Sequence, residues 1–120
     1  MDTKRLLFLL RQPPYGTSHA LEALESILVA GVFEQRVSVL FRDHGVWQLV
    51  GGQAGEVLGT RTIGKVVQAL PQYEIEDIYV CATSLAARGI ALNDLVLPAQ
   101  PLDVGAQQAL IAGQQVVVND

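Results

Sequence analysis

The sequence is that of a small, acidic and rather apolar protein. It has 120 residues and a formal net charge of −4; half of its residues are hydrophobic and 17% are charged. This length predicts one domain spanning 1–120. The negative charge gives no general attraction to phosphate backbones, so direct nucleic-acid binding is not expected. The surplus of apolar residues indicates that part of the surface contacts a partner protein.

Neither the N-terminal residues nor the cysteine content indicates a secreted or membrane protein. The apolar run at 6–10 is too short for a signal peptide or a membrane span, and Arg11 follows it directly. The single cysteine, Cys81, cannot form an internal disulfide, which fits a reducing compartment. No Cys/His pairs stand at zinc-ligand spacing. We therefore expect a cytoplasmic protein with no membrane attachment, metal or cofactor.

The first half of the chain predicts two strands, a helix and a short apolar segment. The runs at 6–10 and 37–41 are near-continuous in apolar character, as in strands covered on both faces. Between them Leu21, Leu24 and Leu28 recur at helical spacing. Thr17 or Ser18 is expected to cap this helix and Gly31 to end it, and the apolar segment 46–50 is expected to end at Gly51 and Gly52.

The second half predicts two further strands, three helices and one weaker strand. Buried strands are expected at 78–82 and 116–118. The apolar positions of 63–70 have helical spacing, with Thr62 as N-cap and Pro71 as the stop. A weaker apolar run at 95–97 is the candidate for a fifth strand. The remaining helices are expected to run from a cap at Thr83 or Ser84 to Arg88 and Gly89, and from Asp103 through Leu110 to near Gly113.

The alternation of strands and helices predicts the fold class. It is typical of a three-layer α/β/α sandwich with a central, mainly parallel sheet of about five strands. In such folds the working site lies beyond the C-terminal ends of the strands. The loops at 12–18, 42–45 and 81–89 are therefore the expected location of a site.

Cys81 ends the third predicted strand and precedes a predicted helix N-terminus. A thiol at this place meets the positive end of the helix dipole and unpaired N–H groups, which favour the thiolate that accepts or donates sulfur. Thr83, Ser84 and Arg88 are the candidate binding residues around it. The alternative is that Cys81 is a small apolar residue buried in a core strand.

The first loop contains two further candidate binding residues, Gly16 and Thr17. A strand-to-helix loop with glycine and hydroxyls suits a phosphate site, but its spacing matches neither a Walker loop nor a dinucleotide fingerprint. The alternative is a stiff turn with a helix cap. His19 and His44 are expected near the same end of the sheet, either as solvated residues or to hold or protonate a sulfur species.

Three stretches of the chain resemble a known family. They are Pro-Pro-Tyr-Gly-Thr at 13–17, Asp-His-Gly-Val-Trp-Gln-Leu at 43–49, and Val-Cys-Ala-Thr-Ser-Leu-Ala-Ala-Arg-Gly at 80–89. Together they resemble the DsrE/DsrF-like family, and within it the TusC/DsrF branch. The resemblance covers essentially the whole chain, and the third stretch is its most specific part.

The resemblance implies a subunit of a heterohexamer with TusB-like and TusD-like sister subunits. Such a complex takes persulfide sulfur from an upstream carrier protein and passes it to a downstream one, toward 2-thiolation of the wobble uridine in tRNA. In sulfur-oxidising bacteria, the similar DsrE, DsrF and DsrH proteins serve dissimilatory sulfur oxidation instead. Cys81 stands where the D/E-type subunit of the family carries its sulfur-accepting cysteine.

Three hypotheses about the chain itself remain open. In the first, Cys81 carries sulfur, and Arg88 and the helix N-terminus stabilise the anion. In the second, which we prefer on sequence alone, the chain is a non-catalytic scaffold that shapes the site of the D-type subunit. In the third, it is an unrelated small α/β binding module, and the three matching stretches are a coincidence.

Overall fold

A computed structural model describes residues 4–13, 19–32, 36–50 and 60–119. The strands within these ranges are β1 (Arg5–Leu10), β2 (Arg36–Phe41), β3 (Asp77–Cys81), β4 (Gln100–Leu102) and β5 (Val116–Asn119). The α-helices are α1 (His19–Val32), α2 (Thr60–Ala69), α3 (Ala82–Ala87) and α4 (Val104–Ala112). Three 3-10 helices complete the described elements: Asp43–Leu49, Leu70–Tyr73 and Leu92–Asp94.

The strands form one sheet in the order β4-β3-β2-β1-β5, and every pair of neighbours is parallel. The predicted strands at 6–10, 37–41, 78–82 and 116–118 correspond to β1, β2, β3 and β5, which are consecutive neighbours in the sheet. Helices pack on both of its faces. The predicted α/β sandwich with a parallel sheet of about five strands is therefore confirmed. No helix in the described ranges is long and apolar enough to cross a membrane.

The first face of the sheet, called here the α1 face, carries most of the core. Leu24 of α1, Val67 of α2 and Leu85 of α3 are buried in one cluster with Phe8 and Val39 of the sheet. The 3-10 helix that follows β2 adds Val46 and Leu49 to this cluster. The amphipathic spacing of apolar residues in α1 thus serves to bury one stripe against the sheet.

The opposite face, called here the α4 face, has a smaller core. Leu110 and Ile111 of α4 pack against Leu7, Leu9 and Leu40 of the sheet. Successive strand residues point to opposite faces, so the near-continuous apolar runs of β1 and β2 supply both clusters. This explains why these strands show little alternation of apolar and polar residues.

The fifth strand was predicted at the wrong place. Residues 95–97 form no strand, and Leu95 takes part only in an isolated antiparallel bridge with Val50. The fifth strand is β4, which begins five residues later and includes Pro101. Proline lacks a backbone N–H and is tolerated at a sheet edge, where one side of the strand has no ladder to complete. β4 occupies such an edge.

Two predicted helix starts were also wrong. The second helix begins at Thr60, so Thr62 lies inside α2 and is not its N-cap. The short helix after β3 is capped by Cys81 itself, and Thr83 and Ser84 lie in its first turn. Its predicted end is confirmed, because Gly89 follows with a positive φ of 66°, which glycine adopts without strain. Gly51 and Gly52, expected to end segment 46–50, lie outside the described residues.

The N-cap of α4 is as predicted. The Asp103 carboxylate accepts a hydrogen bond from the N–H of Ala106 at 2.8 Å. This bond satisfies one of the backbone donors that a helix leaves unpaired in its first turn. It fixes the start of the helix that covers the α4 face.

Candidate functional site

A crevice opens at the C-terminal ends of β3 and β4. The chain leaves β3 into α3, which packs on the α1 face, but leaves the neighbouring β4 into α4, which packs on the α4 face. Connections that leave adjacent strands toward opposite faces make a topological switch point, where open α/β sheets bind their ligands. A cavity of about 370 Å³ lies there and includes Cys81 in its lining.

Cys81 is the last residue of β3 and projects toward the α4 face. It has the same strand parity as Tyr79, which packs in the smaller cluster. The side chain is 5% exposed. Its Sγ accepts a hydrogen bond from the N–H of Ser84 at 3.4 Å, so the thiol takes the capping role that Ser, Thr, Asp or Asn usually fills.

The surroundings of Cys81 favour its thiolate. Burial raises the pKa of the thiol. Hydrogen bonds from the Ser84 side chain and N–H, the Gln107 side chain and the Thr83 N–H together lower the pKa by more than burial raises it, so the pKa falls below its ordinary value. A structural cysteine in apolar surroundings has a raised pKa and is inert, whereas the thiolate is the nucleophile in sulfur chemistry. The site is therefore suited to thiolate reactions.

Ser84 connects Cys81 to the loop after β2. Its hydroxyl oxygen accepts a hydrogen bond from the N–H of Asp43 at 3.0 Å. A hydroxyl that accepts in this way still has its own hydrogen to donate. This agrees with the lowering of the Cys81 pKa by the Ser84 side chain. The Asp43 carboxylate pairs with Nε of Arg11 at 2.8 Å, which ties the loop to the end of β1.

Gly45 allows this loop to lie close to β1. A Cβ at this position would overlap the backbone carbonyl of Leu10, so no other L-residue fits without moving the chain. The N–H of Arg42 donates to the same Leu10 carbonyl at 2.9 Å, and the N–H of Gly45 donates to the carbonyl of Arg42 at 3.0 Å. Asp43 has a positive φ of 55°, an uncommon conformation for a residue other than glycine. The close approach holds Asp43 where its N–H meets Ser84.

Two arginines bring positive charge to the cavity. Arg42 and Arg88 both line it. Nη1 of Arg88 donates to the carbonyl of Ser84 at 3.1 Å, and Nη2 lies 3.5 Å from Nδ1 of His44. Arg88 is not among the groups that shift the pKa of Cys81. Its guanidinium holds the end of α3 and meets the exposed His44 at the cavity mouth.

The structure brings some of the predicted site residues together. Cys81, Thr83, Ser84 and Arg88 line one cavity, and His44 contacts Arg88 at its edge. His19 lines a different cavity, beside Phe8 and Asn119. Gly16 and Thr17 lie outside the described residues. In the ranges that are described, no three His, Cys, Asp or Glu side chains are grouped as metal ligands.

Sequence reasoning missed Gln107, which lines the same cavity as Cys81 and whose side chain lowers the pKa of that thiol by hydrogen bonding. Gln107 precedes Leu110 and Ile111 by three and four residues, so all three share one stripe of α4. The two apolar residues face the sheet. A glutamine placed three and four residues before the two large apolar residues of the helix is the sequence signal that could have identified it.

Comparison with known sequences identifies a family and several relatives that match this chain. The sequence pattern of the DsrE/DsrF-like family matches residues 4–119. Intracellular sulfur oxidation protein DsrF of Allochromatium vinosum is 44% identical over 93 residues, which cover 78% of this chain and 68% of that protein. A protein named Protein TusC homolog from Pseudomonas aeruginosa is 36% identical over 116 residues, covering 97% and 98%. Protein TusC of Escherichia fergusonii is 31% identical over 116 residues, covering 96% and 98%.

Comparison with solved structures supports the fold. The crystal structure of the ychN protein from E. coli superposes with a TM-score of 0.79, covering 98% of this chain and all of that one. The two sequences are 15% identical, so this likeness bears on the architecture alone.

Proposed function

The chain belongs to the DsrE/DsrF-like family, and from that premise we propose that it is a subunit of a cytoplasmic sulfur-relay complex. In this proposal the complex is TusBCD-like, contains TusB-like and TusD-like sister subunits, and passes persulfide sulfur toward 2-thiolation of wobble uridine in tRNA. The relatives named TusC support this assignment, because they match the chain over nearly its whole length and theirs.

We further propose that Cys81 carries the sulfur. The observation that supports a carrier over a scaffold is the lowered pKa of a thiol that lines a cavity. The Cys81 thiolate attacks the outer sulfur of a donor persulfide, the S–S bond of the donor breaks, and the donor leaves as a thiolate. Cys81 then holds the transferred sulfur as its own persulfide, with no net oxidation or reduction. An acceptor thiolate takes that sulfur in the reverse sense.

The carrier role is tested by intact-mass measurement on the reconstituted complex after incubation with a persulfide donor. Because the chain has one cysteine, a gain of one sulfur atom on this subunit locates the persulfide at Cys81. We expect the gain on the wild-type subunit, its loss in Cys81→Ser, and loss of tRNA thiolation in that variant. Normal thiolation by Cys81→Ser, with sulfur only on the D-type sister subunit, would establish the scaffold role instead.

A second candidate function is dissimilatory sulfur oxidation. The relative from Allochromatium vinosum, named for intracellular sulfur oxidation, has the higher identity of those compared, at 44%. Deletion of the gene in its own host separates the two functions. Loss of 2-thiolated uridine in tRNA, with sulfur oxidation intact, supports the relay to tRNA. The opposite pattern supports the sulfur-oxidation role.

Exposed apolar side chains support the proposed assembly. Val116, Val117 and Val118 on the edge strand β5 are about two-fifths exposed, and Val104 at the start of α4 is 59% exposed. An edge strand without charge or proline is prone to pair with another chain. We expect the isolated chain to self-associate in sedimentation experiments or to be poorly soluble, and to form a defined complex with its sister subunits. A stable monomer that does not bind those subunits would contradict the proposed assembly.

A further inference from the structure

Gln107 is a buried amide in the helix that covers the α4 face. It is 4% exposed and lies on the same stripe as Leu110 and Ile111, which pack on the sheet. Burying an amide costs free energy unless its hydrogen bonds are replaced, and an apolar residue would avoid that cost. Packing alone therefore does not explain why an amide is buried at position 107.

The contacts of Gln107 place its amide at the strand residue that pairs with Cys81. Its Nε2 donates to the carbonyl of Leu102 at 3.0 Å. Leu102 is the register partner of Cys81 in the β3–β4 pair. The Cys81 side chain projects to the face that α4 covers, and both residues line the same cavity. A side-chain amide has two N–H groups, so one remains after the bond to Leu102.

Two of the three charged side chains that line the cavity have partners other than Cys81. Arg42, Asp43 and Arg88 line the cavity, and α4 contributes only the neutral Gln107 and Gln108 to its polar lining. Asp43 pairs with Arg11, while Arg88 bonds to the Ser84 carbonyl and contacts the titratable His44. Burial raises the pKa of Cys81, but hydrogen bonds from neutral donors on Ser84, Gln107 and Thr83 together bring it below its ordinary value.

We propose that Gln107 is the hydrogen-bond donor from α4 that holds negative charge on the Cys81 sulfur during sulfur transfer. The inference rests on the proposed carrier role of Cys81. The charge is on Sγ twice, first when the thiolate attacks the outer sulfur of the donor persulfide, and again when the acceptor removes that sulfur. In the second step the Sγ–S bond breaks and its electron pair stays on Cys81. A stabilised thiolate is the better leaving group, so Gln107 promotes release of sulfur as well as its capture.

The test is the pH profile of Cys81 alkylation by iodoacetamide in the isolated chain. Gln107→Leu keeps a side chain of similar size but removes the donor, and Gln108→Leu is the matched control on the neighbouring residue of the same cavity. We expect Gln107→Leu to move the alkylation midpoint to higher pH and to slow alkylation at neutral pH about three- to tenfold. Gln108→Leu should leave the profile unchanged.

A second variant keeps the inference testable if Gln107→Leu folds poorly. Gln107→Glu preserves the shape and, when ionised, places a negative charge beside the sulfur, so it should move the midpoint further than Gln107→Leu does. A purely structural role would lower the melting temperature without moving the midpoint. An unchanged midpoint in either Gln107 variant, or an equal shift in Gln108→Leu, overturns the inference. Alkylation needs no sister subunit or sulfur donor, so failure of the carrier role appears separately, in the intact-mass experiment.

Discussion

The two faces of the sheet differ in how they are covered. On the α1 face, three α-helices and the 3-10 helix 43–49 enclose a continuous cluster of buried side chains from β1, β2 and β3. On the α4 face, the buried part of the cluster is limited to Leu7, Leu9 and Leu40, with α4 packed over it. The candidate sulfur-binding cysteine lies on the thinly covered face, at its C-terminal end.

The two faces therefore have different roles: the α1 face contributes most of the stability, and the α4 face contains the candidate site. A dense core resists rearrangement and contributes most of the hydrophobic free energy of folding. A single helix over a sheet leaves room at its N-terminal end for a cavity and for donors such as Gln107. The α1 face therefore holds the strand ends and the Asp43 loop in place, and the cavity lies on the α4 face.

Two adjacent leucines of β1 compare the faces directly. Leu10 is fully buried in the cluster of the α1 face, and Leu9 is 3% exposed under α4. We expect Leu10→Ala to lower the free energy of unfolding by about 4 kcal/mol and Leu9→Ala by about 2–3 kcal/mol, because α4 can shift to fill part of the second cavity. Urea denaturation measures both. Equal losses, or a larger loss for Leu9→Ala, would show that the two faces contribute alike.

Substitution of Gly45 tests whether packing on the α1 face holds the Asp43 loop in position at the site. In Gly45→Ala, the new methyl group overlaps the Leu10 carbonyl, so the 3-10 helix must move. We expect a loss of about 1–3 kcal/mol and slower alkylation of Cys81, since the Asp43 bond to Ser84 is disturbed. Gly105→Ala in α4 is the control, because its Cβ makes only an ordinary contact with Asp103. That variant should gain up to about 0.5 kcal/mol from helix propensity. If Cys81 is alkylated at the normal rate in a destabilised Gly45→Ala variant, the loop does not influence the reactivity of Cys81.

Substitutions of Asp103 test how α4 is anchored on the α4 face. Asp103→Ala removes the cap on the Ala106 N–H and should lower the free energy of unfolding by about 1 kcal/mol. Because α4 carries Gln107, alkylation of Cys81 should also slow. Asp103→Asn retains a capping oxygen and serves as the matched control. If both variants lose the same stability, the effect comes from the charge of Asp103 and not from its capping bond.

The sequence was sufficient for most of the fold, because β1, β2 and β3 are buried on both faces and their apolar runs identify them. It was insufficient for β4, where Gln100 and Pro101 give no strand pattern. The position of β4 is set by pairing with β3 at an edge of the sheet, which is a tertiary effect that local propensity does not contain.

The candidate site was predicted in part for a similar reason. The place of Cys81 at the end of β3 follows from chain order in a parallel sheet. Its role as N-cap does not, because cysteine is not a preferred capping residue. The hydrogen bond between Ser84 and Asp43 spans 41 residues of sequence and depends on the close approach at Gly45. Gln107 comes from α4, which reaches Cys81 only because its connection from β4 crosses to the other face of the sheet.

The smallest expected effect is the pH dependence of stability that Cys81 contributes. Its pKa in the folded protein lies below the ordinary value of 9.0 that we take for the unfolded chain. Between these two values the folded thiol releases its proton while the unfolded one retains it, so the unfolded state binds more protons and stability rises with pH. The contribution is complete above about pH 9 and is lost as the pH falls through the folded-state value.

The stability difference between wild type and Cys81→Ala should therefore increase as the pH is raised from 7 to 9, as measured by urea denaturation at several pH values. Gln107→Leu sharpens this test, because removing a donor brings the folded pKa closer to the unfolded one and should flatten the increase. A difference that is constant with pH would mean that the thiol is protonated alike in both states. In that case the α4 face would contribute to packing around Cys81 and not to its charge.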